Sequence, residues 1–132
     1  MTTFGAIGVA GTGMTVYRKW LDAVSDNLAN MNTVRPTDEA AFQARYVLAQ
    51  QMGGTDGGVQ VAGVALGSAE GRLVFEPSHP LADAQGYVRY PDIDMSSQMT
   101  QLIMAQRGYQ ANAAVVDRAR ETYQAALQIG RG

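Results

Sequence analysis

The fold of this 132-residue chain is decided by residues 7–32, which read IGVAGTGMTVYRKWLDAVSDNLANMN. Apolar residues recur through this segment at spacings that alternate between three and four: Ile7, Ala10, Met14, Tyr17, Leu21, Val24, Leu28 and Met31. A period of 3.5 residues is typical of a helix that presents a narrow apolar seam to a partner helix. We therefore expect one helix of about 40 Å here. It stops at Asn30 and Asn32, because asparagine tolerates the left-handed conformation that ends helices, and Arg35-Pro36 favours extended backbone.

A second helix is predicted to begin after Asp94, whose carboxylate can accept bonds from the free N–H groups of the first turn. Its apolar positions follow a similar seam: Met95, Met99, Leu102, Tyr109, Ala113, Val116, Tyr123 and Leu127. Gln106 and Arg120 occupy two further seam positions, where polar residues fix register at a cost in stability. Residues 95–129 would extend about 52 Å and end at the terminator Gly130. Gly108 weakens the middle of this helix by about 1 kcal/mol relative to alanine.

The segment between the helices is interrupted by helix breakers. All four prolines lie between residues 36 and 91, and eight of the fifteen glycines lie between residues 53 and 86. We expect short strands in residues 41–48, 59–66, 72–76 and 87–90, which are rich in Val, Tyr and Phe. Residues 53–58 form a flexible loop, residues 83–86 are typical of a type I turn, and a bulge is expected near Gly63, where the alternation slips.

These patterns predict a mainly α protein with a small β insert, in the α+β class. The long N- and C-terminal helices pair as a coiled-coil-like hairpin around a short-stranded β region. We interpret the chain as one structural unit with three parts. They are an N-terminal axial helix in residues 1–34, a β-rich insert in residues 35–93 and a C-terminal axial helix in residues 94–132.

Composition excludes several function classes. The formal net charge is −2 and the ten Lys and Arg residues are scattered, whereas nucleic-acid binding needs a concentrated positive face. No apolar run reaches the roughly 18 residues that a membrane helix requires. The segment Met1–Gly13 has no basic residue before its apolar stretch, so we expect no cleaved signal peptide. We therefore expect neither a nucleic-acid partner nor a direct membrane span.

The sequence offers little for catalysis or cofactor binding. Residues 8–15 (GVAGTGMT) approach a phosphate-binding loop, but Met14 stands where the phosphate-binding lysine belongs. The single histidine, His79, lies between Pro77 and Pro80 without a nucleophile motif. We expect His79 to stabilise its loop, and we expect no enzyme activity, cofactor, metal or small-molecule substrate.

The two seams carry the functional prediction. They can form the core of a helical hairpin inside one chain, and they can leave apolar surface for association, which exposed apolar patches mark. Both interpretations can hold together. The predicted assembly seam comprises Met14, Tyr17, Leu21, Val24, Leu28, Met31, Met99, Leu102, Tyr109, Val116, Tyr123 and Leu127. The alternative is a stand-alone coiled-coil adaptor that binds one partner helix.

Residues 21–33 (LDAVSDNLANMNT) resemble the N-terminal signature of bacterial flagellar axial proteins of the rod and hook. Residues 77–83 (PSHPLAD) and 86–95 (GYVRYPDIDM) resemble a distinctive stretch of the proximal-rod members of that family. The segments 106–112 (QRGYQAN) and 125–130 (AALQIG) complete the pattern. The chain departs from the family at Gly108, where a better helix former is usual, and at Met31, where alanine is common.

The resemblance implies a structural subunit of the basal-body rod, a hollow shaft built by self-assembly through the terminal helices. It implies export without cleavage through the flagellar type III apparatus, and location in a rod that crosses the periplasm or cell wall. The implied partners are other rod subunits and rod–ring junction proteins. The motif and capping residues would be Asn27, Asn30, Asn32, Thr33 and Asp94, and we expect the termini to be poorly ordered in the isolated monomer.

Overall fold

The computed structural model describes residues 3–132 and contains two long helices with four short strands between them. Helix α1 spans Thr3–Asn30 and helix α2 spans Met95–Arg131. The strands are β1 (Arg45–Gln51), β2 (Val59–Leu66), β3 (Arg72–Phe75) and β4 (Tyr87–Tyr90). The pairs β1–β2 and β3–β4 form two separate antiparallel sheets. The predicted α+β class, with a helical hairpin around a small β insert, is confirmed.

The two helices pack antiparallel along most of α1. Asn27 contacts Gln98 near one end, and the Phe4 and Tyr123 rings meet edge to face near the other, with centroids 5.0 Å apart. Helix α2 is continuous through Gly108, so the expected weak point does not interrupt it. Packing accounts for the glycine, since the Tyr17 ring occupies the space that a side chain at position 108 would need.

The buried face of each helix is rotated from the predicted seam. In α1 the most buried apolar residues are Ala10, Val16, Ala23 and Val24, because this helix packs against α2 and also against the β1–β2 sheet. Met14 and Leu21 are only half-buried. In α2 the buried residues are Gln98 and Ala105. Gln106 and Arg120 are exposed, so they are not buried against α1, and the role in register predicted for them stays a prediction.

The helix ends differ in part from expectation. Asp94 is confirmed as the α2 N-cap, with its carboxylate accepting the Ser97 N–H at 2.8 Å. Gly130 does not end α2, which runs to Arg131 and is capped by Gly132. Helix α1 ends at Asn30, whose side chain donates to the Asp26 carbonyl at 2.9 Å. No non-glycine residue in the described part of the chain has positive φ, so the left-handed ending predicted for the asparagines is wrong.

The β1–β2 sheet is a hairpin that lies alongside α1. Its β1 strand begins at Arg45 rather than at Ala41, because the Gln43 side chain donates to the Gly67 carbonyl at 2.9 Å and takes an acceptor that a regular ladder would use. Leu48 pairs with Gly63 and Ala49 pairs with Val61, which leaves one extra residue on β2. The bulge predicted near Gly63 is therefore confirmed.

The β3–β4 sheet is held to the connection after α1. Arg35 and Arg89 exchange backbone hydrogen bonds at 2.9 Å, and the Arg89 guanidinium donates to the carbonyls of Thr37 and Glu70. The predicted turn at residues 83–86 is present, with the Gly86 N–H donating to the Asp83 carbonyl at 3.0 Å. Residues 35–37 thus hold the second sheet to the connection that follows α1.

Candidate assembly surfaces

Apolar side chains remain uncovered on the first half of α2. Met95, Met99 and Ile103 are 56%, 40% and 47% exposed. They are spaced by four residues, so they lie on one helix face. We call these three residues the outer stripe. Gln98 and Ala105, which are buried, lie on a different side of the helix from the outer stripe.

A second uncovered surface is the end of α2. The Phe4–Tyr123 contact lies close to the first described residue of α1, and α2 continues for about two further turns. We call residues 124–131 the C-terminal extension. Leu127 and Ile129 in this extension are 49% and 81% exposed. The extension therefore presents apolar surface that no other described element covers.

The fold divides the predicted assembly seam between the interior and the surface. Val24 is fully buried inside the chain. Eight seam residues are half-buried along the edges of the helical hairpin: Met14, Tyr17, Leu21, Leu28, Met31, Leu102, Tyr109 and Val116. The three exposed ones are Met99, Tyr123 and Leu127. Most of the seam thus supports the hairpin itself, and its role in assembly stays a prediction.

The groove between α1 and the β1–β2 sheet is a surface that the sequence analysis missed. Val16, Tyr17 and Trp20 of α1 face Val47, Ala49 and Val59 of the sheet across a cleft of about 250 Å³. Val64 and Leu66 remain exposed farther along β2. The alternation of valines in β2 predicts one apolar side of the sheet. The order of the elements along the chain does not reveal that α1 packs against that side.

The glycine-rich start of α1 does not form a phosphate-binding loop. Residues 8–15 lie inside the helix, so their backbone N–H groups point along the helix axis and cannot surround an anion. Gly8 lines a cleft of about 540 Å³ against Thr55 and Asp56 in the 53–58 loop. Thr12 Oγ1 donates to the Val9 carbonyl at 2.6 Å and accepts the Val59 N–H at 3.1 Å, which fastens the sheet to α1.

Asn27 does not cap α1, contrary to the prediction. Its side chain is completely buried, three residues before the helix end, and its Oδ1 accepts the Arg45 N–H at 2.8 Å. Its Nδ2 donates to the Arg45 carbonyl at 3.0 Å and to Gln98 Oε1 at 3.1 Å. We call Asn27, Gln98 and the Arg45 backbone the Asn27 cluster. The only feature of the sequence that indicated this cluster was a polar residue, Asn27, beside an apolar seam.

The other motif residues lie at the end of α1. Thr33 Oγ1 donates to Asn30 Oδ1 at 3.2 Å, and the Thr33 N–H donates to the Asn30 carbonyl at 3.1 Å. Asn32 is exposed. Asn30 and Thr33 therefore shape the turn that leads from α1 into the insert, while Asn27 connects three elements of the interior.

Polar contacts stabilise the loop between β3 and β4. The Tyr87 N–H lowers the pKa of Asp83 below its ordinary 3.8, and bonds from Thr37 and the Gln85 N–H act in the same direction, against some desolvation. A hydrogen bond to Glu76 raises the pKa of Tyr90. His79 Nδ1 accepts the Leu81 N–H at 3.0 Å, as expected for a histidine that stabilises its own loop.

Two other kinds of feature are absent from residues 3–132. No helix among them has the length and apolar character needed to cross a bilayer. No group of three or more His, Asp or Glu side chains in the same residues is arranged to hold a metal ion.

The fold places this chain in the class of proteins that are built from a helical hairpin with a β insert and that leave apolar surface uncovered. Residues 7–37 match the family model described as flagella basal body rod protein. Residues 84–129 match the model described as flagellar basal body rod FlgEFG protein C-terminal. The two matches cover the two helices, which are the elements that form the hairpin.

Full-length relatives specify the family further. The flagellar basal-body rod protein FlgC of Yersinia enterocolitica is 35% identical over 134 residues, covering 99% of this chain and 100% of the relative. The FlgC proteins of Salmonella typhimurium and Bacillus subtilis are 34% and 30% identical with the same coverage. The chain belongs to the family of flagellar basal-body rod proteins that includes these FlgC relatives.

Proposed function

We propose that this chain is a structural subunit of the flagellar basal-body rod, in its proximal part, and that it self-assembles through its terminal helices into the hollow drive shaft. Membership of the rod family supports the role of structural subunit. The observation that carries the mode of assembly is the apolar surface of α2 that the chain leaves uncovered, at the outer stripe and the C-terminal extension. The proposal includes no catalytic step and no cofactor.

The shape of the uncovered surface favours head-to-tail contacts. One end of the hairpin carries the β3–β4 sheet and the other end carries the C-terminal extension, so the two ends are unlike. Contacts between unlike surfaces that do not close into a ring produce a helical array. A tube of such subunits is the arrangement that a shaft requires.

The free energy of association that the apolar side chains can supply favours contact with several neighbouring subunits over contact with one. Burying one Leu, Ile or Met side chain contributes at most about 1.5–3 kcal/mol. The three residues of the outer stripe, which are already about half-covered, therefore contribute only a few kcal/mol. Association of two proteins costs about 4–15 kcal/mol, so one such contact does not hold a dimer. A subunit that contacts several neighbours at once buries more apolar surface and can therefore stay bound. This supports polymerisation rather than a discrete adaptor complex.

The remaining parts of the proposal follow from family resemblance. The chain is exported without cleavage by the flagellar type III apparatus. Its partners are other rod subunits and the rod–ring junction proteins, and its location is the rod that crosses the periplasm or the cell wall.

The test replaces one uncovered residue in a host whose own gene has been deleted. Leu127→Asp places a charge on the C-terminal extension, and we expect loss of motility and of rods in isolated basal bodies, with normal helix content in the purified chain. Gln124→Asp is the matched control, since Gln124 is exposed and polar in the same segment. Motile cells with normal rods from Leu127→Asp would contradict the proposed assembly mode.

Light scattering against concentration separates the proposal from the adaptor alternative. A rod subunit gives growing particles or insoluble material as its concentration rises. A dimer of constant mass over the whole range would favour the coiled-coil adaptor instead.

A further inference from the structure

The Asn27 cluster lies where three elements meet: α1, α2 and the first residue of β1. We propose that Asn27 is a positioning residue that sets the register of the helical hairpin and the attachment point of the β1–β2 hairpin. It acts through its hydrogen bonds to Gln98 and to the Arg45 backbone. The inference deepens the proposed function and rests on it only for the consequence in assembly.

The chemistry of the site suits a carboxamide. The Asn27 side chain accepts one bond from Arg45 N–H and donates one to the Arg45 carbonyl, so it pairs with β1 as a neighbouring strand would. Its Nδ2 also donates to Gln98 Oε1 on α2. A carboxylate at position 27 could accept but not donate, and it would face two acceptor oxygens. An apolar side chain could make none of the three bonds.

The cluster can specify register because most apolar contacts of the helix interface, apart from the close approach of Tyr17 to Gly108, discriminate less sharply between registers. Apolar and small side chains such as Ala10, Val24 and Ala105 tolerate a shift of one helical turn, since burial has no direction. The same shift would leave the amides of Asn27 and Gln98 buried without partners, which is penalised. A single buried polar residue is known to specify register between paired helices in this way.

The register has a consequence for the surface. It determines where the outer stripe lies along the hairpin and how far the C-terminal extension projects beyond α1. A shift of one turn would move the extension by about 5 Å along the axis. The attachment at Arg45 also determines where the sheet leaves the helices, because beyond this residue most of β1 is exposed or half-exposed.

The test measures register directly in the dilute full chain. The chain has no cysteine, so Asp22→Cys on α1 and Arg118→Cys on α2 place two spin labels at exposed positions. We expect one narrow distance by pulsed electron resonance in this labelled background. Adding Gln98→Met should create a second population displaced by about 5 Å along the helix axis, or one turn.

The matched control is Gln101→Met. Gln101 also accepts a hydrogen bond across the same helix pair, from Trp20 Nε1 at 3.3 Å, but it is only half-buried. We expect this variant to retain the single distance. A folded Gln98→Met protein with one unshifted distance would overturn the inference.

A measurement on the unaltered chain covers the case in which Gln98→Met does not fold. The Arg45 backbone amide and the Asn27 side-chain amide should exchange with solvent as slowly as the core amide of Val24. Exchange at the rate of exposed amides would overturn the proposed role. Both experiments use the unassembled chain, so failure to build rods would refute the proposed function and leave the register result standing.

Discussion

The ring of Tyr17 lies against the backbone of Gly108, so closely that a Cβ atom at position 108 would be 2.3 Å from ring carbon Cε1. The ring also stacks on Trp20, with centroids 6.0 Å apart. Glycine costs about 1 kcal/mol relative to alanine inside a helix. Here that cost is offset by the close approach of α1 and α2 that the missing side chain permits.

We therefore expect Gly108→Ala to destabilise the protein even though alanine is the better helix former. Overpacking costs about 1–3 kcal/mol and the helix gains about 1 kcal/mol, so the net loss is up to about 2 kcal/mol. Chemical denaturation measures it. Gly11→Ala is the control, because Gly11 lies in α1 with open space around it, and it should stabilise by up to about 1 kcal/mol. Equal stabilisation by both variants would contradict the packing argument.

Gly71→Ala should destabilise the insert. Gly71 has a φ of +58°, and a Cβ atom there would be 2.1 Å from the Tyr90 carbonyl oxygen. A left-handed conformation costs a non-glycine residue about 1–2 kcal/mol, and the clash adds to this. Hydrogen exchange at Val88 in β4 should accelerate, whereas Gly53→Ala, at a site with open space and no positive φ, should leave it unchanged. Unchanged protection of Val88 in Gly71→Ala would show that the insert tolerates the side chain.

The stability of the insert should fall in acid through Asp83. The Tyr87 N–H and its companion donors lower the pKa of Asp83 below 3.8 in the folded chain. A lowered folded-state pKa means that the stabilisation is present above the unfolded value and is lost as the pH falls through the folded value. Thermal melting from pH 7 down to pH 2 measures this. Asp83→Asn keeps an acceptor oxygen but cannot titrate, so the melting temperature should depend less on pH in the acid range. An equally steep dependence in the variant would assign the effect to another group.

The C-terminal extension should become ordered on assembly. Residues 124–131 are exposed throughout, and a helix end without tertiary packing is marginal in water. In dilute protein we expect rapid amide exchange there, while Val24 in the core of α1 stays protected. Helix content by circular dichroism should rise as the concentration drives association. Full protection of residues 124–131 in the dilute monomer would contradict the prediction made for this terminus.

Most of the fold was predictable because its signals are local. The period of 3.5 residues located both helices, the Asp94 cap located the start of α2, and the β2 and β4 bounds were predicted to the residue. The errors arose where a distant group intervened. The start of β1 moved from Ala41 to Arg45 because the Gln43 side chain binds the Gly67 carbonyl, and spacing alone cannot reveal such a bond.

The candidate site was less predictable than the fold. The seam pattern marked which residues are apolar but not which of them the hairpin covers, so Val24 is buried and Met99 is exposed although both belong to it. Asn27 was predicted to cap the helix, since asparagine tolerates the left-handed conformation that ends helices. Its partners are at positions 45 and 98, which no local rule connects to it.

The sequence by itself determined two long helices, the interrupted β segment between them and the resemblance to flagellar rod proteins, since periodicity, helix breakers and motifs are properties of consecutive residues. Only the tertiary structure decided which helix faces meet, why Gly108 lies in the middle of α2, and that Asn27 connects α1, α2 and β1. Those features depend on contacts between residues 18 to 91 positions apart along the chain, and burial is decided by the packed arrangement rather than by residue type.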